Sequence, residues 1–235
     1  MGKAIEEPRY EQLRRLGQEL HVPIPEAFWE LEVRDKEGKL IQRHRQRCHS
    51  WTRNAYNHMF SNLAAKDADD PSFGPGLLSV KHLDGTVYGM NYPFTYGQYS
   101  VDGTGNYGMR AAAGEDGRGI VVGSGTAEES FEDCALQTQI ANGTGAGQLS
   151  YIASEEHSVS YDTPTRVFRN HLVRYFNNNS GGDVNVNEVG IYCKIQQPGS
   201  ARSHCYSRDK LAATVTVPDT GQLKVTYTVQ LAYPA

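Results

Sequence analysis

The sequence predicts a mainly β protein, an antiparallel β-sandwich with an N-terminal arm and one covering helix. From residue 119 onward the chain contains β-type segments separated by turns. The last segment, 223–231, alternates apolar with polar residues, the period of a strand with one dry and one wet face. A content of 24 Gly and 14 Tyr with few long apolar runs also favours strands joined by turns.

The first 25 residues predict an arm that contains a short amphipathic helix. Pro8 suits the first turn of such a helix, and the Val-Pro pair at 22–23 ends the pattern. One face of the helix is apolar and the other carries Glu and Arg. We therefore expect the apolar residues to contact a partner subunit: Tyr10, Leu13, Leu16 and Leu20.

Residues 26–235 predict the sandwich itself, with 111–118 as the boundary if the chain forms two lobes. Segments 28–33 and 39–47 flank a glycine-containing turn at 35–38, which predicts a hairpin. Ser50 or Thr52 can cap a following helix, which would cover the sheet with an apolar stripe: Trp51, Ala55, Met59 and Leu63, with Tyr56 and Phe60 beside them. A second hairpin is predicted over 77–90.

The second half is organised around residues 119–140, where a short apolar strand with a glycine-rich exit continues into a polar loop. Further strands are predicted at 148–155, 159–161, 165–176 and 184–193. A loop is expected from there through 198–199 to 207. The closing hairpin joins 211–217 to 223–231, whose apolar face should be buried against the 184–193 strand or the opposing sheet.

No catalytic, cofactor-binding or metal-binding residue is predicted. The glycines at 103–108 match the dinucleotide-binding fingerprint as a string, but neither a buried strand nor a helix pattern flanks them. The acidic residues at 128–133 lack the alternation of a calcium loop and predict a solvated segment. The pair Glu155 and His157 has no nucleophile nearby, which argues against a hydrolase.

The four cysteines show no C-x-x-C spacing. Zinc ligands could come from His204 and Cys205 with Cys193, or from His44 with Cys48 and His49, but neither group forms a four-ligand set. We expect reduced thiols, because a chain made in the cytosol rarely forms disulfides.

A basic ridge is predicted on the second strand, because alternation places Arg43, Arg45 and Arg47 on one face and no acidic residue occurs between 39 and 53. Phosphate binding is one use of such a ridge. The net charge of -4 and the lack of an aromatic stacking pattern favour salt bridges to an acidic neighbouring subunit over nucleic acid.

Several short segments, in this order, resemble a layout of structural proteins in tailed-bacteriophage particles. The matching features are a glycine-rich strand exit, an acidic loop, a Phe-Asn turn, an E-V-G-x-Y strand and a closing V-T-Y strand. They stand at 123–126, 133–136, 176–177, 186–192 and 225–227. The hairpin and following helix at 35–54 resemble the N-terminal part of the same proteins.

The resemblance implies a non-enzymatic structural component of a phage particle. Repeated copies would assemble through the arm and the Tyr-rich loops, with other virion proteins as further partners and without a cofactor or small-molecule ligand. The first residues lack the apolar core of a signal peptide and no run could cross a bilayer, so we expect synthesis in the host cytoplasm, no membrane contact and residence in the virion.

The alternative function is a carbohydrate- or receptor-binding module. Such a module would present a stacking platform of tyrosines, here Tyr88, Tyr92, Tyr96, Tyr99 and Tyr107. A glycan-binding screen would separate it from the assembly protein.

Overall fold

The structure, a computed structural model, describes residues 3–64, 79–88, 108–197 and 200–233, with the backbone alone for 3–6, 61–64, 88, 196–197 and 200. Two helices and eleven strands occur in these ranges: α1 (Lys3–Glu19), β1 (Ile24–Arg34), β2 (Leu40–Arg47), α2 (Arg53–Ala64), β3 (Val80–Lys81), β4 (Val87–Tyr88), β5 (Gly119–Gly123), β6 (Ser150–Tyr151), β7 (Ser158–Asp162), β8 (Val167–Asn177), β9 (Val184–Gln197), β10 (Ser200–Val217) and β11 (Gln222–Ala232). Eleven strands against two helices in the described ranges confirm the mainly β prediction.

Two antiparallel sheets pack face to face. The larger has six strands in the order β2-β1-β11-β8-β6, with β7 also paired to β8, and the smaller has the order β10-β9-β5. Apolar side chains from both sheets form one buried cluster between them. The short N-terminal helix α1 contacts β1, and α2 contacts β10 and β3. The predicted antiparallel sandwich with these two helices is confirmed.

The closing strand β11 lies at the centre of the larger sheet, between β1 and β8. Its inward residues Leu223, Val225 and Tyr227 are buried. Tyr227 lies opposite Trp29 of β1, with ring centroids 4.4 Å apart. The predicted face is confirmed for these three residues, whereas Val229 and Leu231 at the end of the strand are only partly buried. The predicted 184–193 strand, as part of β9, lies in the opposing sheet.

Two glutamines of β2 join the two sheets along one side. Gln42 donates to the Thr214 carbonyl and accepts from the Thr216 amide, both at 3.0 Å. Gln46 donates to the Lys210 carbonyl at 3.0 Å and accepts from the Ala212 amide at 2.9 Å. A side-chain amide offers one acceptor and two donors, so it can replace a neighbouring strand where the pairing register of β10 shifts.

The covering helix α2 packs through a polar face, unlike the apolar stripe that was predicted. Asn54 and Asn57 are buried, whereas Met59 and Phe60 are exposed. The Asn54 amide donates to the Lys81 carbonyl at 2.9 Å and accepts from the Lys81 amide at 2.8 Å. Asn57 donates to the Ser79 carbonyl at 2.6 Å. Backbone groups of the β3 segment need partners, and amides supply them where leucine could not. The buried side of α2 therefore follows hydrogen bonding rather than hydropathy.

Other predicted boundaries also change. The expected loop is wrong for residues 200–207, because β10 begins at Ser200 and pairs with β9 there except at Tyr206, where the register shifts. Residues 198–199 lie outside the described residues. Cys205, Tyr206 and Ser207 are all buried, and a strand covered on both faces does not alternate. The 148–155 strand shortens to Ser150–Tyr151. Pro8 lies inside α1 rather than in its first turn, since the helix starts at Lys3.

The hairpin predicted over 77–90 is present in its described part as β3 and β4, with the turn between them. Its residues 77–78 and 89–90 lie outside the described residues.

A buried arginine of β8 holds the segment that was considered as a lobe boundary. The Arg174 side chain has no exposed surface, and its guanidinium donates to five backbone carbonyls. These belong to residues 112, 115, 118, 120 and 152. Burial lowers the pKa of Arg174 to about 10, so the group remains charged at neutral pH. The carbonyl dipoles replace water around this cation.

Candidate functional site

Helix α1 is attached to the outer face of the larger sheet by four charged residues, here called the α1 clamp: Glu7, Arg14, Glu26 and Arg47. Arg14 donates to Glu26 at 3.0 Å. Arg47 is bonded to Glu26 at 2.7 Å and to Glu7 at 2.6 Å. Burial of Glu26 opposes its ionisation, but hydrogen bonds from Gln230 and the two arginines outweigh that effect and lower the pKa of Glu26. The clamp fixes which face of α1 meets the sheet.

The inward face of α1 consists of Tyr10, Arg14 and Gly17, not of the leucines. The Arg47 guanidinium lies 4.1 Å from the centre of the Tyr10 ring. Gly17 is buried so close to β1 that an added Cβ would lie 2.7 Å from the Ile24 side chain. The backbone therefore approaches the sheet where only glycine fits.

The three leucines predicted as partner contacts face solvent. Leu13, Leu16 and Leu20 are 42%, 50% and 61% exposed, respectively. At about 100° per residue they form one row, displaced by roughly a quarter turn from the face that meets the sheet. Of the four predicted contact residues of the arm, Tyr10 thus contacts the chain's own sheet and the leucine row remains available.

The basic ridge on β2 has acidic neighbours within the chain. Glu30 of β1 lies opposite Arg45, and Glu32 lies opposite Arg43. Arg43 forms ion pairs with Glu30 at 2.7 Å and with Glu32 at 3.7 Å. The third residue, Arg47, belongs to the α1 clamp. These acidic partners lie on the preceding strand, β1, so the absence of acidic residues between 39 and 53 gave no sign of them. Contact of the ridge with another subunit stays a prediction.

The polar loop that follows β5 is held by Glu188, a fully buried residue of β9. The Glu188 carboxylate accepts from the amides of Gly125, Gln137 and Thr138 at 3.1, 3.0 and 2.7 Å. It also accepts from Arg208 Nε at 2.8 Å. One carboxylate therefore satisfies both ends of the loop and a neighbouring cation.

Acidic residues of this loop, predicted as a solvated segment, pair with basic side chains. Arg208 binds Asp133 at 2.7 Å and donates to the carbonyls of residues 127 and 128. Glu132 pairs with Lys81 and with Arg53. The loop is thereby tied to β10, to the β3 segment and to the start of α2.

A second buried acidic residue, Asp209 of β10, lies at the junction of three elements. Its carboxylate accepts from the Trp29 indole at 2.8 Å, from the His49 amide at 2.8 Å and from the Ser207 hydroxyl at 3.2 Å. Burial raises the pKa of Asp209. The ring of His49 and the carboxylate of Glu129 approach it, and the ligand atoms of the three residues all lie within 4.8 Å of one another.

An apolar cavity of about 490 Å³ lies between the larger sheet and α2. Residues of β8, β11 and α2 contribute to its wall, among them Phe168, Leu172, Val229, Leu231, Ala55 and Met59. Of the apolar stripe predicted to meet the sheet, Trp51, Ala55 and Met59 line this cavity instead, and the side chain of Leu63 lies outside the described residues. Absence of a small-molecule ligand stays a prediction.

Some sequence-predicted features fall outside the described residues. Tyr92, Tyr96, Tyr99 and Tyr107 of the proposed stacking platform do so, and Tyr88 is described by its backbone alone. Residues 103–107 of the glycine motif are likewise outside. The four cysteines form no disulfide with one another.

Comparison of the chain with protein-family models, with curated proteins and with solved structures found no match. Among the described residues, no helix has both the length and the apolar character needed to cross a membrane.

Sequence reasoning missed the buried charges that organise the loops, namely Arg174, Glu188, Arg208 and Asp209. A signal was present for Glu188, which is the one acidic residue within the apolar-rich segment 184–193. A charge is rarely left fully buried unless it is paired, so such a residue predicts a specific partner. The identity of that partner required the tertiary structure.

Proposed function

We propose that the chain is a non-enzymatic structural component of a tailed-bacteriophage particle and that repeated copies assemble through the N-terminal arm. The observation that carries the proposal is the leucine row of α1, which faces solvent on a helix that two ion pairs, Arg47–Glu7 and Arg14–Glu26, fix to the sheet. The order of motifs along the chain, which resembles that of phage structural proteins, supports the virion assignment.

The clamp gives the leucine row a defined direction. Because Tyr10, Arg14 and Gly17 occupy the inward face, rotation of the helix to bury the leucines would break two ion pairs, Arg47–Glu7 and Arg14–Glu26. Burying a leucine fully contributes roughly 1.5 to 3 kcal/mol. Burial of the leucine row against another subunit would therefore favour association, since these side chains are not buried within the described part of the chain.

The size of the helix indicates how association should depend on concentration. Seventeen residues extend about 25 Å, and a helix is about 10 Å wide. Such a footprint is far below the roughly 800 Å² per partner of a stable interface. A single arm contact should be weak, and stable assembly should require several contacts among repeated copies.

Sedimentation velocity over a range of concentrations tests the arm. The wild-type chain should associate reversibly, and a variant with Leu13, Leu16 and Leu20 changed to Ser should remain monomeric. Circular dichroism should be unchanged, since these side chains are exposed in the monomer.

A matched control changes three exposed residues on the opposite side of the same helix, Glu11, Arg15 and Gln18, to Ser. This control should associate like the wild type. Association of the leucine variant at wild-type strength would contradict the arm contact. Failure to find the chain in purified particles by antibody labelling would contradict the virion assignment.

A further inference from the structure

We propose that His49, Glu129 and Asp209 form a binding site for a divalent metal ion of the zinc class. The three residues come from different parts of the fold: the connection between β2 and α2, the loop after β5, and β10. Their ligand atoms lie within 4.8 Å of one another. A point therefore exists that is no more than about 2.8 Å from all three, and small side-chain movements would give Zn–N and Zn–O distances of about 2.0 to 2.2 Å.

Both carboxylates are oriented before any ion binds. The Trp29 indole and the Ser207 hydroxyl donate to Asp209 Oδ2, while Oδ1 accepts from the His49 backbone amide at 2.8 Å. Glu129 Oε2 accepts from the Lys210 amide at 3.3 Å. Donors of this kind fix ligand orientation in metal sites and lower the cost of binding.

The two carboxylates also lack a compensating cation. In the part of the chain that the structure describes, the nearby basic side chains pair elsewhere: Lys210 with Glu128, and Arg208 with Glu188 and Asp133. No lysine or arginine of those ranges forms an ion pair with Glu129 or Asp209. A divalent cation would offset the repulsion between these two groups.

The ligand types select the class of ion. Sites made of oxygen alone suit calcium and magnesium, whereas an imidazole beside carboxylates suits zinc and related transition metals. His49 is exposed while Asp209 is buried, so the site opens to solvent on one side. Entry of the ion and a water molecule as fourth ligand are both compatible with that arrangement.

Isothermal titration calorimetry with Zn²⁺ on the full chain tests the site. We expect one saturable ion per chain, and at least tenfold weaker binding in His49→Ala and in Glu129→Gln. The adjacent variant Glu128→Gln is the matched control, because Glu128 belongs to the same loop but pairs with Lys210. Its affinity should stay within about twofold of the wild type.

Thermal unfolding should report the same ion, because a ligand that binds the folded chain alone raises its stability. The melting temperature of the wild type and of Glu128→Gln should rise with added Zn²⁺, and that of His49→Ala should not. Absence of saturable binding would overturn the proposal. Unchanged affinity in both His49→Ala and Glu129→Gln would also overturn it, since the bound ion would then lie elsewhere.

Discussion

Replacing Glu188 with Gln should destabilise the protein far more than its small chemical change suggests. Oε1 accepts from the amides of Gly125 and Thr138, and Oε2 accepts from the Gln137 amide and Arg208. Glutamine has one acceptor oxygen, so two of these four donors must lose their partner and meet an NH₂ group instead. Each buried donor left unsatisfied costs about 1 to 3 kcal/mol.

The expected loss for Glu188→Gln is therefore about 2 to 6 kcal/mol, twice the cost of one unsatisfied donor. Arg208 keeps its ion pair with Asp133 at 2.7 Å, so the substitution does not leave this cation unpaired. Since small domains are stable by only about 5 to 15 kcal/mol, the shift should be readily measurable by urea unfolding. Glu128→Gln on the same loop is the control, with an expected cost under about 1 kcal/mol because its side chain is 80% exposed.

Hydrogen exchange locates the effect. Amides of Gly125, Gln137 and Thr138 should lose protection in Glu188→Gln, because their common acceptor is gone, while amides of the central strand β11 should follow global stability alone. A cost below 1 kcal/mol together with unchanged protection of the three loop amides would refute the assignment of Glu188 as the residue that holds the loop.

Two further predictions concern the core and the pH dependence of stability. Tyr227→Ala should lower the free energy of unfolding, measured with urea, by about 3 to 5 kcal/mol, because removal of a ring that packs on Trp29 leaves a cavity. Thr226→Ala on the outer face should cost under about 1 kcal/mol, and the reverse ranking would contradict the face assignment. Burial lowers the pKa of His58 and of His204 to about 4 each. As the pH falls below about 6.5, these histidines become protonated in the unfolded chain but stay neutral in the folded chain. The free energy of unfolding should therefore be constant above about pH 6.5 and decrease toward pH 4, by up to about 3 kcal/mol for each histidine. A urea midpoint that does not change between pH 7 and 5 would contradict this.

The fold class and the buried faces of the clearest strands could be predicted from the sequence alone. The alternation at 223–231 predicted that Tyr227 is buried, because alternate residues of a strand lie on opposite faces and the apolar ones occupy the face that packs in the core. The hairpin formed by β1 and β2 could also be predicted from the sequence, since its turn contains Gly38, which adopts a backbone φ of 80° that glycine favours. A local sequence pattern is sufficient to predict structure wherever residues close together in the chain form the contacts.

The pairing of charged residues and the choice of buried helix face depend on contacts that form when the chain folds. Arg47 looked like part of an exposed ridge, but Glu26 and Glu7 lie beside it once β1 pairs with β2 and α1 folds back. The stripe of α2 looked like core, yet Asn54 is buried because its amide donates to the carbonyls of Lys81 and Cys205. These outcomes depend on groups far apart in sequence, and hydrogen-bond and charge satisfaction across such distances leaves no periodic signal in the chain.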